Sequence, residues 1–111
     1  MKLLNEVIGN KLIVTMSGEL DHHVAKSIRI EVDELILKKR TKNLIFDMSQ
    51  LKFMDSSGIG VILGRYKNIT NIGGKVAVVN VSDRVDRIFS MTGLYKVINK
   101  YENMSTALKH L

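Results

Sequence analysis

The chain has 111 residues, 45% of them hydrophobic and 25% charged, with no cysteine and no proline. That is the length of one domain with a real core and an ordinary globular composition. It excludes disulfides, thiol catalysis and cysteine-based metal sites, and no apolar run nears the ~18 residues of a membrane span.

The net charge of +6, from 17 basic and 11 acidic residues, admits an acidic protein or a nucleic acid as partner. The densest basic run, Lys38-Lys39-Arg40 with Lys42, closes an amphipathic helix, where cations suit the dipole. Aromatics make up only 5% of the chain and no basic patch alternates with them, so direct DNA or RNA binding is not expected. The first residues lack the apolar stretch and cleavage site of a secretory signal. A cytoplasmic protein without membrane attachment is the expectation.

Leu3 to Ile8 and Lys11 to Ser17 read as strands, joined at Gly9-Asn10 by a two-residue hairpin turn. In the second, Leu12, Val14 and Met16 alternate as in a half-buried strand. Gly18 to Asp21 leads into a helix from His23 to Lys39, with Asp21 or a neighbour as its cap and Ile28, Val32, Leu35 and Ile36 on one face. Asn43 to Asp47 is a short apolar strand. A second helix starts near Ser57, carries Ile59, Ile62, Leu63, Tyr66 and Ile69 as its apolar stripe, and stops at Gly73-Gly74. Arg65 and Lys67 read as surface charge on it.

Val76 to Val79 has the unbroken apolar character of a strand covered on both faces. Ser82 can cap a third helix with Val85, Ile88 and Phe89 inward. Lys96 to Lys100 forms a last strand and Ser105 to Leu111 a last helical turn or two. The alternation predicts one α/β domain over residues 1–111, a mixed sheet with an N-terminal hairpin and helices packed on it.

The chemistry concentrates in Phe53-Met54-Asp55-Ser56-Ser57-Gly58-Ile59-Gly60, where a helix begins. Unpaired N–H groups and the dipole make a helix start favourable to a phosphate, so Ser56 or Ser57 is a candidate phosphoacceptor. The plainer alternative is that these serines are N-caps. Sites in open α/β sheets gather where strands end and helices begin, so the Gly18 to His23 turn is expected nearby if the two helices are neighbours.

Other constellations fail. Gly58-x-Gly60-x-x-x-Gly64 lacks dinucleotide-loop spacing, and its next strand ends in Asn80 without the ribose-binding acid. Gly73-Gly74-Lys75 is followed by Val76, where a phosphate loop requires Ser or Thr. His22 and His23 are adjacent and expected to diverge, and His110 is remote in sequence, so no metal set is expected. No sequence signal sets a base beside Ser56. No catalytic residue, cofactor or metal ligand is assigned.

Gly18-Glu19-Leu20-Asp21-His22-His23, the run from Phe53 to Tyr66, Ile72-Gly73-Gly74 and Met91-Thr92-Gly93-Leu94 together resemble the anti-sigma factor antagonists of the STAS domain family. The likeness is greatest to the sporulation members that act on the anti-sigma F factor. It implies a STAS-like domain that is not an enzyme but a partner switch. The unphosphorylated form would bind the anti-sigma F factor, an ATP-dependent serine kinase, and so release sigma F. The kinase would then phosphorylate Ser56 and dissociate, and a metal-dependent serine phosphatase would restore the hydroxyl. Asp21, Asp55, Ser56, Ser57, Gly58 and Gly60 are the partner-binding residues on this reading. A STAS regulator of another sigma factor or of a stress-signalling assembly is the first alternative. A small nucleotide-binding domain is the second.

Overall fold

The structure, a computed structural model, describes all residues 1–111. Its elements run β1 (Lys2–Ile8), β2 (Lys11–Leu20), α1 (Ala25–Lys39), β3 (Asn43–Asp47), β4 (Leu51–Met54), α2 (Ser56–Asn71), β5 (Val76–Val79), α3 (Asp83–Thr92), β6 (Asn99–Tyr101) and α4 (Met104–His110). The sheet order is β1-β2-β3-β5-β6, and β4 pairs with β2 alone. Only the β1–β2 hairpin is antiparallel; the crossovers through helices make the remaining pairs parallel.

Alternation along β2 divides the core. Leu12, Val14 and Met16 join Leu44, Phe46, Val76 and Val78 beneath Ile28 and Val32 of α1, Ile59 and Ile62 of α2, and Phe89 of α3. Ile13, Ile45, Ala77 and Val79 point the other way, against Ala107 of α4. Three helices therefore cover one face and a single short helix the other.

β4 was not anticipated, and it determines where the site lies. β2 pairs with β3 as Lys11↔Asn43, an offset of 43 − 11 = 32. It then pairs with β4 as Gly18↔Leu51, 51 − 18 = 33, and as Glu19↔Phe53, 53 − 19 = 34. β3 and β4 are thus one broken strand along β2 with two one-residue slips, the second at a bulge between Gly18 and Glu19. Gly18 takes φ +107°, which suits a residue without Cβ, and its N–H donates to the Gln50 carbonyl at 3.1 Å. β2 consequently runs on to Leu20, past the expected end at Ser17.

Several boundaries differ from expectation. α1 begins at Ala25, because His22 and His23 belong to a turn closed by Asp21. Lys96 lies in a 3-10 turn over Leu94–Lys96, so the last strand starts at Asn99. Asn103 caps α4, its Oδ1 accepting from Thr106 N at 2.9 Å, and so starts that helix at Met104. Ser82 caps α3 as expected, accepting from Val85 N at 3.3 Å.

Asp86 anchors α3 to the end of the sheet: Lys100 Nζ approaches its Oδ1 to 2.7 Å and the Tyr95 hydroxyl donates to the same oxygen at 2.5 Å. These two bonds outweigh burial and hold the Asp86 carboxyl below its ordinary range. Burial, then the bond to Asp86 and its charge, push the Tyr95 phenol up. A depressed acid gives stability above its unfolded pKa that is lost as pH falls, so the acid limb is expected below about pH 4. A raised phenol gives stability that declines with rising pH above about pH 10. Thermal melts across pH are expected to show both limbs, with Asp86→Asn weakening the acid one. Parallel profiles for the two proteins would refute this role for Asp86.

Candidate phosphoacceptor and docking site

Leu20 pairs with Met54 at the ends of two parallel strands, so Asp21 and Asp55 leave the sheet side by side. The Asp55 N–H still donates to the Leu20 carbonyl at 3.3 Å. The two sequence blocks, more than thirty residues apart, meet here through strand pairing.

Asp55 is the cap of α2. It sits in extended backbone with φ −108° and ψ −170°, while its Oδ1 accepts from Ser57 N at 2.8 Å and Gly58 N at 3.4 Å. The reading of Ser56 or Ser57 as cap is therefore corrected: both lie inside the first turn. A carboxylate also satisfies the dipole better than a hydroxyl does. Its other oxygen, Oδ2, accepts from the His22 backbone N–H at 3.2 Å, with His22 Nδ1 3.8 Å away. One side chain thus fastens the β2–α1 turn to the start of α2.

Asp21 orders its own turn. Its Oδ1 accepts from His23 N at 2.9 Å, and its carbonyl accepts from Val24 N and Ala25 N. Burial works to raise the Asp21 pKa. The His23 N–H, the His23 ring and the Val24 N–H outweigh it and leave the carboxyl below the ordinary aspartate range. The two imidazoles do not diverge as expected: their ring centroids are 3.9 Å apart, and both are solvent-exposed.

Ser56 is exposed at the first position of α2 and Ser57 is half-buried behind it. Gly60, four residues on, lies on the Ser56 face. It is exposed, and a Cβ there would meet nothing within 4 Å. Gly58 is different. It is buried, and a Cβ would come within 2.9 Å of the Leu20 carbonyl and 3.1 Å of Met54 Cγ. Its missing side chain lets α2 sit directly on the ends of β2 and β4. Phe53, which was not singled out as a contact residue, is 38% exposed on β4. Recognising it required finding β4, whose Leu51-Lys52-Phe53-Met54 gives no clean alternation.

Further along α2 the sequence misled. Arg65 is not surface charge but 4% exposed, packed with Nε 2.8 Å from Asp33 Oδ1 of α1. Desolvation lowers its pKa, the Asp33 charge opposes that, and Arg29 adds to the lowering. Asn68 reaches the same Asp33 oxygen at 3.4 Å. The contact locks α1 beside α2 and so fixes the relative position of the two loops.

The STAS domain model matches residues 2–107. The anti-sigma F factor antagonist of Paenibacillus polymyxa is 46% identical over 100 residues, 90% of this chain and 86% of that protein. Among solved structures, a Thermotoga maritima protein superposes with TM-score 0.91 at 25% identity, covering 97% of this chain and 92% of that one. The Bacillus cell-fate determinant SpoIIAA in its phosphorylated form superposes with TM-score 0.74 at 26% identity, over 98% of each chain. With the STAS model matching nearly its whole length and these likenesses beside it, the chain belongs to the STAS domain family, among the anti-sigma factor antagonists.

Proposed function

We propose that this protein binds a serine-kinase anti-sigma factor through the face formed by Asp21, Phe53, Ser56, Ser57 and Gly60, and is released when Ser56 is phosphorylated. The observation that carries this reading is the Asp55 carboxylate. It spans Ser57, Gly58 and His22 and holds an exposed Ser56 hydroxyl on a fixed backbone beside a second acid. An outside kinase needs an accessible hydroxyl in a reproducible position and itself supplies nucleotide and metal. The chain contributes the acceptor and the docking surface.

Gly60 supports docking by leaving room for a partner's backbone, whereas Gly58 acts from beneath by keeping α2 close to β2. The anti-sigma F factor is the proposed partner, in keeping with what the Paenibacillus relative is named for. Binding frees sigma F in the cytoplasm, and a metal-dependent serine phosphatase reverses the modification.

The test is incubation with anti-sigma F and anti-sigma B kinases and ATP, followed by peptide mass spectrometry and a binding assay with ADP present. One phosphate on Ser56 from the F-type kinase, with loss of the complex, is the expected result. Ser56→Ala is expected to keep affinity within about threefold and take no phosphate, and Asp21→Ala to weaken binding about tenfold or more with an intact melt. Stoichiometric phosphate on Ser57 in Ser56→Ala would overturn the assignment, and an unchanged affinity in Asp21→Ala would remove Asp21 from the interface.

A further inference from the structure

The C-terminal ends of α1 and α2 enclose an open groove of about 720 Å³, within the range of small-ligand sites, lined by Asp33, Ile36, Leu37, Arg40, Thr41, Lys42, Asn68 and Ile72. It lies at the opposite end of α2 from Ser56. The helix's 16 residues separate the two by about 24 Å.

Its walls are apolar and unusually bare: Leu37 is 77% and Ile72 57% exposed. At its base Thr41 is buried, the residue being 6% exposed.

The charges are one-sided. Asp33 is engaged by Arg65 and Asn68, which leaves Arg40 and Lys42 as the cations of the lining. Arg40 is held there by the backbone: it ends α1 in the left-handed region at φ 53°, its N–H donating to the Ile36 carbonyl. Two of the last carbonyls of α2 are likewise engaged, Thr70 by Gly73 N and Ile69 by Gly74 N.

From this combination we propose that the groove is a second binding site, for a small amphiphilic carboxylate. The apolar body lies along Ile36, Leu37 and Ile72, and the head group meets Arg40 and Lys42. Two cations match a carboxylate, and the apolar walls select against a bare anion. The basic run at the end of α1 is therefore a binding element rather than only a solvated helix end.

Octanoate is the probe, with octanol lacking the charge and acetate lacking the body. Titrated into isotope-labelled full-length chain, octanoate is expected to move the Leu37, Thr41 and Ile72 amide signals saturably. Octanol and acetate are expected to bind about tenfold more weakly or worse. Arg40→Asn with Lys42→Gln keeps a residue tolerant of positive φ at position 40. It is expected to weaken octanoate about tenfold while leaving octanol unchanged. No saturable shift up to about 10 mM octanoate, equal binding of octanol, or indifference to the charge removal would each overturn the proposal.

Discussion

Phosphorylation of Ser56 is expected to weaken the complex with the anti-sigma partner about a thousandfold while the isolated domain melts within a few degrees of the unmodified protein. The modification adds ~1.5 to 2 negative charges and three acceptor oxygens. A helix start would ordinarily welcome them, but this one is largely taken. Asp55 already accepts from Ser57 N and Gly58 N through its side chain, and from Ile59 N through its carbonyl. The phosphate therefore has few intramolecular donors left and stands beside the Asp55 and Asp21 carboxylates in solvent.

Within the free domain this is tolerable, since water solvates an exposed dianion. Against a docked partner the same group must be desolvated without a ready counter-charge, and a penalty of ~4 kcal/mol corresponds to the thousandfold loss. Calorimetry of purified phosphoprotein and unmodified chain with the same kinase, ADP-bound, measures it. Ser56→Asp, with a smaller charge and fewer acceptors, should lose less than phosphoserine and more than alanine. Phosphoprotein that binds as tightly as the unmodified chain would show that release has another cause.

The largest expected loss of stability comes from Gly74→Ala. A Cβ at Gly74 would lie 1.8 Å from the Lys42 carbonyl oxygen and 2.8 Å from Ile69 Cγ2. The obstacle is main chain, which no rotamer change can relieve. The surroundings are also bonded: Gly74 N donates to the Ile69 carbonyl, Lys75 N to Asn43 Oδ1 at 2.8 Å, and Leu44 N to the Lys75 carbonyl. Making room separates the starts of β3 and β5, the centre of the sheet. A cost of about 3 kcal/mol or more follows, against a total of ~5 to 15 for a domain of this size. The melting temperature should fall by more than about 10 °C.

Gly60→Ala is the matched opposite. It lies within a helix with nothing near its Cβ, so replacing glycine should stabilise by about 0.5 to 1 kcal/mol. Its melt should rise slightly while partner binding weakens, because the added methyl group stands on the docking face. Equal melting temperatures for Gly74→Ala and the unmodified chain would mean the two turns can separate freely.

Much of this was readable from residue order. Gly9-Asn10, the alternation of Leu12, Val14 and Met16, and the unbroken Val76 to Val79 each carry a local signal strong enough to survive into the fold. So does the helix start at Asp55 to Gly60, since a glycine-rich helix start is a local matter. What failed depended on partners distant in sequence. Arg65 looks like solvent charge until Asp33 is brought beside it by the packing of α1 on α2. β4 has too few residues and too irregular a pattern to announce itself, and it exists because β2 is long enough to pair with it. The serines looked like caps because serine commonly is one. Asp55, one residue earlier, takes the position once its carboxylate is needed by His22 as well.

The slipped register along β2 has a further consequence. β4 touches no strand other than β2, so the segment that carries Ser56 hangs from the sheet by a single seam, while β3 and β5 are bonded on both sides. A load placed on that segment is carried by β2, α2 and α3 and has no direct strand-to-strand route to β5 and β6. A modification or sequence change confined to that tip would therefore leave the centre of the domain undisturbed. Amide exchange should divide along the same line, faster in Leu51–Met54 than in Asn43–Asp47 although only Met48, Ser49 and Gln50 separate the two in the chain.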